Sequence, residues 1–180
     1  MAHDLHFGGR WHYDEIRRFQ RNDIASQDDT GAIVDFDRGL GGSGGNRLQE
    51  SKAIALWLQD DIQLGNVTVT PGIRYEYIDQ HHTDYESDPS NTVRGRFDGS
   101  LDVFLPGISV QWDISDTDMV FAGVHKGFSI PGPRAVQRSG TDEEESIGYE
   151  LGFRTRRDTF NAELIGFYTD FDNLIGSDTG

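Results

Sequence analysis

Connections that alternate long and short along the whole chain narrow the folds open to this sequence more than any other feature in it. Period-two alternation of apolar and polar residues predicts seven strands. They cover Asp4–Tyr13, Ser51–Leu64, Val67–Asp79, Phe104–Asp113, Met119–Phe128, Glu145–Arg156 and Thr159–Asp170. The connections are residues 14–50, 65–66, 80–103, 114–118, 129–144 and 157–158, so every second one is short. Long loops on one rim and short turns on the other is the outer-membrane β-barrel arrangement, with the short turns periplasmic. A soluble sandwich has no reason to sort its loops by parity.

The second and third strands carry the clearest pattern. Ile54, Leu56, Leu58, Ile62 and Leu64 share one face, and Gln59, Asp61 and Gln63 share the other. Past the turn at Gly65-Asn66, Val67, Val69, Ile73, Tyr75 and Tyr77 oppose Thr68, Thr70, Arg74 and Glu76. Two strands this long, joined by two residues, make a hairpin well beyond the usual ~5 to 6 residues of soluble strands. Ile147, Tyr149, Leu151 and Phe153 repeat the alternation, whereas the last strand shifts phase at Leu164-Ile165.

Composition agrees. The longest clean apolar run, residues 53 to 58, is far short of the ~18 to 20 residues of a membrane helix. A mean hydropathy of −0.58 does not exclude a membrane barrel, whose strands average apolar and polar positions. The absence of cysteine removes disulfides and thiolate metal sites. A net charge of −15 argues against nucleic acid as a partner. Seven strands leave two unpaired edges, which bilayer hydrocarbon does not tolerate, and no signal peptide follows Met1. The expected fold is therefore all-β, an antiparallel transmembrane barrel segment of about seven strands from a larger barrel. Strands are expected to be missing on both sides.

Residues 51–62, followed by 67–76, resemble a barrel hairpin of TonB-dependent receptors. Residues 125–133, 145–154 and 167–174 resemble later barrel strands of that family, with the ferric dicitrate receptor type as the nearest branch. The resemblance spans nearly the whole chain. It implies a barrel of about 22 strands with a plugged lumen, in the bacterial outer membrane, that imports a ferric chelate such as ferric citrate or a siderophore. Outer-membrane lipid and the chelate are the implied partners, and the TonB complex would be engaged only through a plug domain not present here. No catalytic constellation and no cofactor is expected, and the sector alone is not expected to transport. A diffusion porin or adhesin barrel is the alternative, and a soluble carbohydrate-binding module using Trp11, Trp57 and Trp112 is a further one.

Charged strand residues opposite the apolar faces are expected to line a hydrated lumen and pair with a plug or with one another: Asp61, Arg74, Glu76, Glu150, Arg154 and Arg156. Tyr13, Trp57, Tyr75, Tyr77, Trp112 and Tyr168 are candidate interfacial aromatics. An anionic ferric chelate needs arginines that grip carboxylates. The loop candidates are Arg94, Arg96, Arg134 and Arg138, which otherwise solvate acidic loops or meet lipopolysaccharide phosphates. His81 and His82 are adjacent, point to opposite sides and are read as exposed loop residues rather than metal ligands. The acidic runs at 28–29, 35–37 and 142–145 match no calcium-loop spacing. The stretch 41–45 is read as a flexible loop tip or linker, since a phosphate cradle would need a following Lys-Ser/Thr and a helix.

Overall fold

The computed structural model describes residues 1–130 and 144–172. Among these residues nine strands form: β1 Ala2–Gln20, β2 Ile24–Gln27, β3 Ile33–Asp37, β4 Gly45–Leu64, β5 Val67–Tyr85, β6 Val93–Asp113, β7 Asp118–Ser129, β8 Glu144–Arg156 and β9 Asn161–Asp172. Seven build one antiparallel sheet in the order β1-β4-β5-β6-β7-β8-β9, each beside its next neighbour, and β2–β3 is a separate hairpin between β1 and β4. Among the described residues the sheet does not close on itself. No helix among the described residues is long and apolar enough to cross a membrane, which says nothing about strands.

The first four sheet strands run 19 to 21 residues, longer than their apolar alternation alone predicts. Two expected loops are thereby corrected. Residues 80–85 and 93–103 are strand, leaving only 86–92 as the connection, so Arg94, Arg96, His81 and His82 are strand residues. Residues 14–20 and 45–50 likewise extend β1 and β4. Residues 14–20, 45–50 and 80–85 have polar residues on both faces, and in 93–103 the alternation reverses phase, with Phe97, Leu101 and Val103 on the other face, yet the backbone ladder continues because every N–H and C=O still needs a partner. The 41–45 stretch is a tight turn seated against Phe19 and Asp88 rather than a linker. Pairing of β8 with β9 passes through Leu164 and Ile165 without a slip; Leu164 keeps the apolar face and Ile165 turns to the other.

Two prolines mark the interruptions in the ladders. The β4–β5 pairing skips Asp60 and Asp61 against Thr70 and Pro71, since proline has no N–H to donate. Successive donors alternate sides of a strand. Pro71 lies opposite Ile108, and Ile73 opposite Pro106. The donor Pro106 lacks is therefore the one that would face β7. Pairing of β6 with β7 stops at Gly107 opposite His125, although β6 continues to Val93 and β7 to Ser129.

Candidate functional site

Cross-strand partners share a face, so the register assigns every strand residue to one of two surfaces. One surface is apolar across all seven strands: Phe7 and Trp11 on β1, Leu56 and Leu58 on β4, Ile73 and Tyr75 on β5. It continues through Phe104 and Ile108, Val120 and Val124, Tyr149 and Leu151, and Leu164 and Tyr168. Its large side chains stand exposed, as Phe7 at 78% and Leu164 at 76% show. An exposed apolar patch of this extent marks a surface that meets lipid or another protein. Aromatic pairs Trp11–Tyr13, Tyr75–Phe104 and Tyr149–Tyr168 lie near its upper margin.

That margin is oblique to the pairing rows. Above the apolar residues of each strand, the first charged residue on this face is Glu15, Lys52, Asp79, Asp102, Lys126, Glu145 and Asp170 in sheet order, while Asp60 on β4 and Asp118 on β7 lie lower, towards the short turns. Thr169 shares a row with Gly148, His125, Gly107, Gly72, Gln59 and His6. Asp170, one residue higher, is thus level with Phe7, eight residues below Glu15 on β1 (15 − 7). Eight rises of ~3.3 Å over six strand spacings of ~4.8 Å give a slant of about 40°. The strands tilt about 40° from the normal of the apolar band, within the ~35–45° of outer-membrane barrels.

The opposite surface is polar. Asp61, Arg74, Glu76, Glu150, Arg154 and Arg156 all lie on it. Asp61 accepts from the Thr70 hydroxyl at 2.7 Å and lies 3.6 Å from His6. Arg74 pairs with Glu76 at 2.5 Å and rests over the Trp57 ring. Arg154 grips Glu163 with two bonds of 2.8 and 3.1 Å and covers Phe121. Large rings on this surface lie flat over glycines of the next strand: a Cβ on Gly8 would meet Trp57 at 2.3 Å, and one on Gly152 would meet Phe121 at 2.1 Å. Trp11 and Trp112 are on the apolar surface and Trp57 on the polar one, so the three tryptophans form no common platform.

Of the arginines proposed from sequence, Arg134 and Arg138 lie outside the described residues. Arg96 sits on the apolar surface's side, above the band, in the row of Arg17, Leu48 and Thr83. Arg94 is different. Asp84 pairs with Gly95 and Tyr85 with Val93, which leaves Arg94 as the extra residue of a bulge. Bulges re-aim side chains, and Arg94 reaches Asp84 on the polar surface at 3.4 Å.

Sequence reading missed the neighbours of this contact. Arg18 on β1 lies directly opposite Arg47 on β4, and Arg47 directly opposite Asp84 on β5. Arg18, Arg47 and Asp84 thus lie in one row at the loop-bearing end of the polar surface, with Arg94 reaching the same Asp84 carboxylate and Arg18 donating to Gln20 on its own strand. Like charges directly opposite on adjacent strands are unfavourable. A chain with only 16 basic residues against 31 acidic ones nevertheless places two arginines face to face here. Beneath them, His82 is buried at 1% exposure, correcting its expected place in an exposed loop. His81, on the other surface, bridges Asp98 at 2.6 Å and Asp79 at 3.0 Å. The Asp98 hydrogen bond chiefly raises its pKa, with burial opposing and Asp79 adding to it. Among the described residues no group of three or more histidines and carboxylates is arranged to hold a metal ion.

A family model described as TonB dependent receptor-like, beta-barrel, matches residues 1–180. The unliganded ferric citrate transporter FecA is a structural neighbour, with a TM-score of 0.75 and 22% identity over 98% of this chain and 25% of that one. The ferric yersiniabactin uptake receptor FyuA from Yersinia pestis aligns with a TM-score of 0.56 and 16% identity, over 97% of this chain and 30% of that one. At these identities the likeness is one of fold, and the chain spans about a quarter of FecA's length.

Proposed function

Because the chain belongs to the TonB-dependent receptor β-barrel family, we propose that it is a sector of an outer-membrane barrel wall importing a carboxylate-bearing ferric chelate. The oblique apolar band carries the membrane part of this reading, since a slant of about 40° follows from strands crossing a bilayer at the barrel tilt. The apolar surface meets lipid and the polar surface lines the lumen, where Asp61, Arg74, Glu76, Glu150, Arg154 and Arg156 stay hydrated or face a plug domain. TonB would act on such a plug rather than on this wall.

The arginine cluster carries the substrate part. Guanidinium forks match carboxylates bidentately. Arg18, Arg47 and Arg94 lie at the loop-bearing end of the polar surface, where an anionic guest would meet guanidinium donors. Arg94 extends the cluster from the neighbouring hairpin. The names of FecA and FyuA, a ferric citrate and a ferric yersiniabactin receptor, favour an iron chelate as that guest. Binding of radioiron-labelled ferric citrate to the complete receptor tests this. An R18Q/R47Q double variant is expected to lose most of the binding. Unchanged binding in that variant would remove the cluster from recognition, and an uptake-neutral deletion of the receptor would remove the chelate reading itself.

A further inference from the structure

The burial of His82 is not explained by packing alone. On the same surface Ile78 and Val103 occupy equally buried positions, at 4% exposure each, with hydrocarbon. An imidazole there must instead satisfy both ring nitrogens, and it does. The Gln49 side-chain amide donates to Nδ1 at 3.1 Å, which fixes the proton on Nε2, and Nε2–H donates to Asp84 Oδ1 at 2.9 Å. Phe97, directly opposite on β6, packs against the ring at 6.1 Å between centroids. Asp84 Oδ2 then takes the Arg94 guanidinium at 3.4 Å. The result is a chain of contacts from β4 through β5 to the bulge of β6: Gln49, His82, Asp84, Arg94.

We propose that His82 is a positioning residue for anion capture, holding the Asp84 carboxylate so that Arg94 is turned to the lumen side of the wall. Val93 faces the outer surface with Tyr85 and Gly95 the lumen side with Asp84, so alternation does not set the side taken by the bulge residue between them, and the Asp84 contact does. The Arg94 side chain stays 58% exposed, and one held edge leaves the rest of its five-donor fork for a ligand. The assignment rests on the reading of the receptor as a binder of carboxylate-bearing chelates.

A mutant cycle on the complete, detergent-solubilised receptor tests it, with radioiron-labelled ferric citrate as the probe and heat-modifiable gel migration as the check of folding. H82L and R94A are each expected to weaken binding about tenfold, the scale of one charge-assisted contact. H82L in the R94A background should weaken it no further. H82Q, whose amide can still donate to Asp84, should restore most of the affinity. Equal losses from H82L with and without Arg94, or no loss at all, would overturn the proposal and leave His82 a packing residue. Should H82L not fold, D84N takes its place in the same cycle, and undiminished affinity in D84N overturns the proposal equally. A wild-type receptor that binds no ferric citrate sinks the chelate reading and this inference together, whereas wild-type binding that neither H82L nor R94A weakens sinks the inference alone.

Discussion

The oblique apolar band predicts that two substitutions at the same level of the sheet differ in cost. Ile73 on β5 and Ile147 on β8 are level, each one residue above the Gly72–Gly107–His125–Gly148 row. With strands tilted about 40°, each residue climbs about 2.5 Å along the membrane normal. Ile73 lies six residues below Asp79, the first charged outer residue of its strand (79 − 73), or about 15 Å. Ile147 lies two residues below Glu145 (147 − 145), or about 5 Å. Half the hydrocarbon thickness is about 15 Å, so Ile73 sits near the midplane and Ile147 near the interface. An arginine at Ile73 should therefore destabilise the barrel by about 2–4 kcal/mol, and one at Ile147 by about 0–1 kcal/mol. Equilibrium guanidinium unfolding of the complete barrel from lipid vesicles reads both. Equal costs, or a larger one at Ile147, would refute the tilt and with it the assignment of the apolar surface to lipid.

Three further outcomes are expected. Asn46, 5% exposed, accepts from Arg17 at 2.8 Å and donates to the Glu86 and Asp88 carbonyls at 3.0 and 3.1 Å. N46A should cost about 1–3 kcal/mol and speed amide exchange in residues 86–92, and unchanged exchange there would refute its role as the staple of that turn. G152V should destabilise by about 1–3 kcal/mol through overpacking against Phe121, and adding F121A should recover part of that loss in the same unfolding assay; strictly additive losses would refute the contact. His81 has a raised folded pKa, so its stabilisation is complete below about pH 6.5 and is lost as pH rises through the folded value. The wild-type melting temperature should exceed that of H81Q at about pH 6 and converge with it in alkali, and a pH-independent gap would contradict the Asp98–His81–Asp79 bridge.

What the sequence revealed was bounded by where water is excluded. Alternation from Ser51 to Asp79 is legible because one face meets an apolar medium, and parity of the connections then points to a barrel. Above the band residues 80–85 are polar on both faces and residues 93–103 alternate in the opposite phase, with Phe97, Leu101 and Val103 on the other face, so both look like loop although they are paired strand. Arg18 and Arg47 were hidden for the same reason, inside a stretch with no period, and only the register sets them opposite one another. His82 carried no signal at all, since its burial comes from Gln49 and Phe97, 33 residues before it and 15 after. The Arg94 bulge depends on one residue of register that no pattern of side chains encodes.

The rings that lie flat over Gly8 and Gly152 carry an evolutionary consequence. A side chain at either glycine would occupy the volume already filled by Trp57 or Phe121, so neither partner is free to change alone. Each pair is one inherited unit spread over two strands. In a lineage where the glycine gains a methyl, the opposing ring must shrink within a few steps or the wall loses its register. Relatives of this chain should therefore exchange bulk between positions 8 and 57, and between 121 and 152, in compensating pairs.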